Sequence, residues 1–215
     1  MIKKLDQQAF AKVIKNSKII MNDNNGPKVL KLANGKYLKI FRLKHWFSSA
    51  LFYHYGQRFI DNAKKLQQRG ITTIKITDSF IIPKKFLKNS HRTMAVEYDF
   101  LPGTTLRELI AHNNFTENNL VDFSKFIAKL HQLGIYFRAG HFGNIIYDSK
   151  HNIFGLIDVE NLKFYDKSLN IKKRQRNFAQ MQRYDVDKNW FIANKKNFQD
   201  IYFQSSKISN FDVIN

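Results

Sequence analysis

The sequence predicts an α+β architecture in two parts, a strand-rich lobe over residues 1–100 and a helical lobe over residues 101–215, together forming one domain. Three observations carry this expectation. Apolar residues in the first part alternate with a period of two around an Asn-Gly pair. In the second part they recur at helical spacing behind Thr caps. The change falls at Leu101-Pro102-Gly103, a turn-forming triplet that reads as a hinge.

Taken in order, the first clear element is KVLKLANGKYLKIFR (28–42), with strands over about 28–33 and 36–41. Asn34-Gly35 between them is the pair that best tolerates the positive φ angles of a type I′ turn. HWFSSALFYHYGQRFIDNAKKLQQRG (45–70) reads as a long helix, with Ser48 as its cap and Gly70 just past its end. Its aromatic residues Trp46, Phe47, Phe52, Tyr53, Tyr55 and Phe59 read as core. Strands are expected over 71–82 and 92–100. After LPG comes a short Thr-capped helix, then a longer one over 115–134 with Thr116 as cap, acidic residues in its first turn and Gly134 as stop. Leu120, Phe123, Ile127 and Leu130 mark its buried face. NIIY (144–147) and IFGLI (153–157) read as two short strands around a polar turn, and 167–184 as a further helix.

Composition narrows the function classes. With 43% hydrophobic and 14% aromatic residues the chain can build a core, so wholesale disorder is excluded. Without cysteine there are no disulfides, thiolate metal sites or thiol nucleophiles. No apolar run is long enough to span a bilayer, and the first residues lack the apolar segment of a signal peptide. A cytoplasmic location is therefore expected, with peripheral contact at an anionic inner-membrane surface. The charge is lopsided: 36 Lys and Arg against 17 acidic residues give +19, and residues 1–100 hold 20 of the basic and 6 of the acidic groups. Such a field favours an anionic partner: a phosphorylated glycan, a lipid headgroup or nucleic acid. Nucleic acid ranks last, because no binding motif accompanies the charge. The cluster KKRQR (172–176) fits a helix face that is either solvated or set against an acidic partner.

The chemistry concentrates in GIYFRAGHFGNII (134–146) and FGLIDVEN (154–161). Asn144 opens one strand and Asp158 follows the next, so a hairpin of this length brings both side chains to one edge. Oxygen ligands of this kind suit Mg²⁺, which keeps several waters and takes its remaining ligands from phosphate. Lys39, on the second strand of the Asn-Gly hairpin in YLKIF, stands where a kinase carries its phosphate-gripping lysine. Taken alone, it would equally pass for a solvated strand lysine.

These stretches, with RFIDNAKKLQQRGI and VEYDFLPGTTLREL, resemble the minimal kinase-like proteins grouped with lipopolysaccharide core kinases and toluene tolerance proteins, over roughly residues 28–184. The resemblance implies a small two-lobed protein-kinase-like fold, ATP with Mg²⁺, and a sugar hydroxyl of the lipopolysaccharide inner core as acceptor. It puts the phosphate lysine at Lys39, the nucleotide hinge at Glu97 to Gly103, and the metal ligands at Asn144 and Asp158.

Four departures qualify it. Ala139 stands where a kinase keeps its catalytic Asp, so Phe137-Arg138-Ala139 replaces His-Arg-Asp. No acidic residue stands clearly as helix partner of the lysine, Asp61 and Asn62 being nearest. DNNGPK (23–28) is at most a degenerate phosphate loop, and Tyr37 takes the place of a small residue beside the adenine. Two neighbours offer compensation. His141, two residues past Ala139, has a side chain whose pKa suits a proton acceptor, or else it braces the loop. Arg138 would clamp a substrate phosphate or pair with an acidic neighbour. The expected activity is therefore an ATP- and Mg²⁺-dependent phosphotransferase. A pseudokinase scaffold that lost its base is the alternative, and a basic nucleic-acid-binding protein the third reading.

Overall fold

The structure is a computed structural model and describes residues 2–42, 54–82, 93–208 and 211–214. In chain order the elements are β1 (Lys3–Lys4), α1 (Gln7–Lys15), β2 (Lys18–Asp23), β3 (Gly26–Lys31), β4 (Tyr37–Arg42), α2 (Tyr55–Gln68), β5 (Thr72–Thr73), β6 (Lys75–Ile82) and β7 (Thr93–Asp99). They continue as β8 (Thr104–Thr105), α3 (Leu106–Ala111), α4 (Glu117–Gln132), β9 (Ile135–Phe137), β10 (Ile145–Asp148), β11 (Ile153–Leu156), β12 (Leu162–Phe164), α5 (Ile171–Met181), α6 (Asp185–Ala193) and α7 (Lys195–Ser206). Contacts divide the chain into one unit of Met1–Lys65 with Ile74–Leu101, and a second of Leu66–Thr73 with Pro102–Asn215. The fold class is the expected one, α+β with a strand-rich N-terminal unit and a mainly helical C-terminal unit. No described helix is long and apolar enough to cross a membrane.

The first unit is a six-stranded sheet in the order β1-β6-β7-β4-β3-β2. Strand alternation gives it two buried faces. On one, Phe10 of α1 packs against Leu30, Leu38, Ile40, Ile82 and Ala95. On the other, Phe59 of α2 meets Phe41 at 5.1 Å and Tyr98 at 5.7 Å between ring centroids. Three elements precede the first one expected. β1 and β2 lie at opposite edges of the sheet, and α1 is short, capped by Asp6 accepting from the Ala9 amide at 2.8 Å. β2 is an outer strand with a bulge between Ile19 and Met21, and Ile19, Ile20 and Met21 are 45%, 46% and 50% exposed.

The Asn-Gly hairpin forms, with a different turn from the one expected. Only Gly35 has positive φ (82°), the Gly35 amide donates to the Leu32 carbonyl, and the Leu32 amide donates to the Lys36 carbonyl. This is a three-residue loop with a glycine bulge, which asks for one left-handed residue where a type I′ turn asks for two. Of the expected helix 45–70 the described part is α2; Ser48, Trp46, Phe47, Phe52 and Tyr53 lie outside the described residues. The strand expected over 71–82 is two strands, broken at Ile74. β6 belongs to the first sheet, while β5 pairs in parallel with β11.

In the second unit α4 buries the residues its spacing indicated, Leu120, Phe123, Ile127 and Leu130. Its cap is a capping box of Thr116 with Asn119. Phe123 joins Phe142, Phe154, Trp190 and Phe198 in edge-to-face and tilted contacts at 5.5 to 5.8 Å. Pairs of this kind add about 0.5–1.5 kcal/mol beyond area burial. The helix expected over 167–184 begins only at Ile171, because Asn170 caps it by accepting from the Lys173 amide. β5, β11, β10 and β8 form one sheet, and β12 with β9 a second.

Candidate functional site

Two antiparallel pairs frame the loops that carry the chemistry. β9 enters and β10 leaves the loop 138–144; β11 enters and β12 leaves the segment 157–161. At one end Ile145 pairs with Leu156, and the Ile157 amide donates to the Asn144 carbonyl at 3.0 Å. At the other, Phe137 pairs with Leu162, and the Arg138 amide donates to the Asn161 carbonyl at 3.2 Å. Asn144 and Asp158 therefore sit at the open end of one hairpin, as the spacing of their strands predicted.

The Asn144 amide can be oriented from its partners. Its Nδ2 is 2.9 Å from the Ala139 carbonyl and 3.1 Å from His141 Nε2. A carbonyl oxygen can only accept, so the amide nitrogen must face it. Both amide hydrogens are then used within the loop, and Oδ1 has no hydrogen-bond partner among the described residues. Asp158 has φ 57° and ψ 51°, a left-handed conformation that costs an L-residue roughly 1–2 kcal/mol and that Asp tolerates better than most. Strain held at such a position is a mark of functional sites. Two oxygen donors fit Mg²⁺, which is held by one or two protein oxygens plus waters and phosphate. Among the described residues no group of three His, Asp or Glu forms a closed metal cage.

The same geometry fixes His141. Its Nε2 lone pair accepts from Asn144, so its proton is on Nδ1, which is buried without a hydrogen-bond partner. Burial first, then the charges of Arg107 and Arg183, hold its pKa below the ordinary histidine value, against the opposing pull of Asp187 and Asp158. His141 is thus neutral at pH 7 and its basic nitrogen is engaged, which casts it as a brace for Asn144 and not as the missing base.

Asp187 was not legible as a site residue and is central to the loop. It is fully buried on α6 and accepts from Arg107 Nε at 3.0 Å and Nη2 at 2.7 Å. Its Oδ2 also accepts from the Phe142 amide at 3.1 Å. The Phe142 ring is anchored against Trp190 at 5.2 Å and Phe191 at 5.3 Å. Just before the loop, Asn177 accepts from the Phe137 amide and donates to its carbonyl at 2.7 Å. Asn177 Oδ1 also faces His131 Nε2, and His131 Nδ1 faces the Tyr202 hydroxyl, to which buried Arg174 donates at 2.7 Å. Gly134, which ends α4, lets the chain return close by: a Cβ there would lie 2.2 Å from the Tyr165 carbonyl.

No family model matches the chain, and no curated protein matches it in sequence. Among solved structures, that of WaaP in complex with acyl carrier protein aligns over 92% of this chain and 91% of its own, with 10% identity and a TM-score of 0.46. Those values are too low to transfer a residue or an activity, and the site is read on its own geometry.

In the first unit Lys39 is 5% exposed, its ammonium 5.2 Å from the centroid of Phe41 and 5.1 Å from that of Phe59. It is not the solvated strand lysine that the sequence alone left open. Asn62, 6% exposed, is on the buried side of α2 one turn beyond Phe59, whereas Asp61 accepts from Gln57 at 2.9 Å. Glu97, expected at the start of the nucleotide hinge, lies within a strand of the first unit. It is in the middle of β7, opposite Leu38 and Asp78, and its carboxylate accepts from the Thr77 hydroxyl at 2.9 Å and pairs with Lys36 at 3.2 Å. Strand alternation puts it on the face of Leu38, opposite to that of Lys39. DNNGPK is the tight β2–β3 turn, tied down by Arg42, which donates to the Pro27 carbonyl and pairs with Asp23 at 3.1 Å. Tyr37 stacks on Phe100 at 4.7 Å. Arg138 is exposed and makes no ion pair among the described residues, so the pairing alternative is not met.

Proposed function

We propose that this chain is an ATP- and Mg²⁺-dependent phosphotransferase whose acceptor is a hydroxyl of an anionic glycan, with the lipopolysaccharide core as the class suggested by the sequence resemblance. The observation that carries this reading is the Asn144 amide: its nitrogen is held within the loop, its oxygen has no hydrogen-bond partner among the described residues, and Asn144 and Asp158 both lie at the open end of the hairpin. Bound Mg-ATP would supply a transferable phosphoryl group whose charge is partly neutralised. The chain supplies the rest. Asn144 Oδ1 and the Asp158 carboxylate would hold the cation, and the Asp187–Arg107 pair keeps their loop in place; Lys39, buried in the first unit, is the side chain that the sequence resemblance assigns to phosphate. Loss of the loop Asp does not by itself abolish transfer, because a loose transition state gains little from early removal of the hydroxyl proton.

The test is a calorimetric titration of ATP with and without Mg²⁺ into wild type, Lys39→Ala and Asp158→Asn, followed by phosphate transfer to dephosphorylated core. Mg²⁺-dependent binding present in wild type and lost in both variants is expected. No binding at millimolar ATP would overturn the reading. A second reading, a pseudokinase scaffold, is favoured by Ala139, which offers a methyl group at the base position. Turnover that disappears in Asp158→Asn removes that alternative.

A further inference from the structure

Beside Ala139 the second unit opens a cleft of about 470 Å³, lined by Arg138, Ala139, Asn161, Ala179, Gln180 and Arg183. Two arginines line it and no acidic residue does. Neither arginine makes an ion pair among the described residues, and both are exposed. Arg176, on the exposed face of α5, likewise makes no ion pair among the described residues but does not line the cleft, whereas three other arginines of the unit are committed to structure. Arg69 donates to the Leu133 and Tyr165 carbonyls, Arg107 clasps Asp187, and Arg174 bonds the Leu169 carbonyl, Ser168 and Tyr202. Arg183 rests on the Tyr184 ring at 5.0 Å, which steadies its plane without neutralising it. The cleft also carries two amides, Asn161 and Gln180, and the Gln180 Oε1 is buried without a hydrogen-bond partner. Its walls at 139 and 179 are only methyl groups, small enough for a ring to lie close.

Guanidinium forks match the paired oxygens of phosphate or carboxylate, and side-chain amides match hydroxyls. From this combination we propose that the cleft binds a sugar bearing one phosphate or carboxylate, with Arg138 and Arg183 gripping the anion and Asn161 and Gln180 the hydroxyls. Resting on the phosphotransferase reading, it is the acceptor subsite, and the small residue at 139 is what admits the acceptor. Ala139 is then a substrate wall, not only a lost base.

Binding is measured on the full chain without nucleotide, by calorimetry or ligand-observed NMR, with glucose 6-phosphate, glucuronate, glucose and inorganic phosphate. Wild type is expected to bind at least one of the two anionic sugars about tenfold or more tighter than glucose and than phosphate alone, with the tighter of the two naming the anion. The Arg138→Ala, Arg183→Ala double variant is expected to lose that difference while melting at the wild-type temperature, since both side chains are exposed. Equal binding of anionic sugar and inorganic phosphate would overturn the sugar subsite. Undiminished binding by the double variant would overturn its location, as would no binding in wild type. A parallel Mg-ATP titration of wild type separates the two readings: sugar phosphate without nucleotide leaves the cleft and removes the kinase, and nucleotide without sugar phosphate does the reverse.

Discussion

The amide nitrogen of Asn144 lies 2.9 Å from the carbonyl oxygen of Ala139, so the residue expected to hold the metal is clamped by the backbone of the residue that replaces the base. The loop thereby keeps its shape without a carboxylate in it. Asn144→Asp replaces the donor with a repelling oxygen while retaining a metal ligand. It should destabilise the fold by about 1–3 kcal/mol in denaturant titration, from the unsatisfied Ala139 carbonyl and the repulsion beside it.

Asp158 separates strain from function. Asp158→Gly relieves the left-handed backbone, and its gain of up to about 1 kcal/mol is offset by the freer unfolded chain, so stability should change little. Mg²⁺-dependent nucleotide binding should nevertheless vanish in the same protein. A strongly destabilised Asp158→Gly would instead make the aspartate a structural residue.

Removing Arg107 leaves Asp187 charged and fully buried with only the Phe142 amide as partner. Arg107→Ala should therefore cost about 3 kcal/mol, read as a lower denaturation midpoint. Asp187→Asn, which retains an oxygen acceptor for the Phe142 amide, should cost less.

Burial, then the charge of Arg174, pushes the pKa of His131 down to about 3. The folded protein keeps the ring neutral while the unfolded chain protonates it near 6.5, so the unfolded state binds more protons between those values. Stability should be fully present above pH 6.5 and fall with pH toward 3, by about 2 kcal/mol between pH 7 and pH 5. Denaturant titrations at both pH values should show that slope in wild type and a smaller one in His131→Gln. His141, shifted in the same direction, accounts for part of what remains.

Periodicity and caps made the second unit legible: Thr116, Gly134 and the apolar stripe of α4 bound a helix that needed no partner to be seen. The hairpin carrying Asn144 and Asp158 was legible for the same reason, since its two strands are adjacent in sequence. What escaped depends on pairing across long separations. β1 is two residues long and exists because Phe80 and Ile81 pair with it. β9 and β12 are three residues each and stabilise one another across the loops that they bracket. Asp187 looks like any acidic residue in a helix's first turn until Arg107, eighty residues earlier, is brought to it.

The bulged outer strand β2, with Ile19, Ile20 and Met21 in solvent, makes the protein's behaviour in solution depend on ions in an unusual sense. An outer strand with exposed apolar side chains can template a neighbouring copy. What keeps copies apart is the mutual repulsion of molecules carrying +19 each. Repulsion of this kind reaches about 30 Å at 0.01 M salt and about 3 Å at 1 M. Dilute buffer should therefore hold dispersed monomers, and concentrated salt, the usual refuge for a basic protein, should drive them to associate. Light scattering across that range would show particle size rising with salt, and Ile20→Lys should keep it flat.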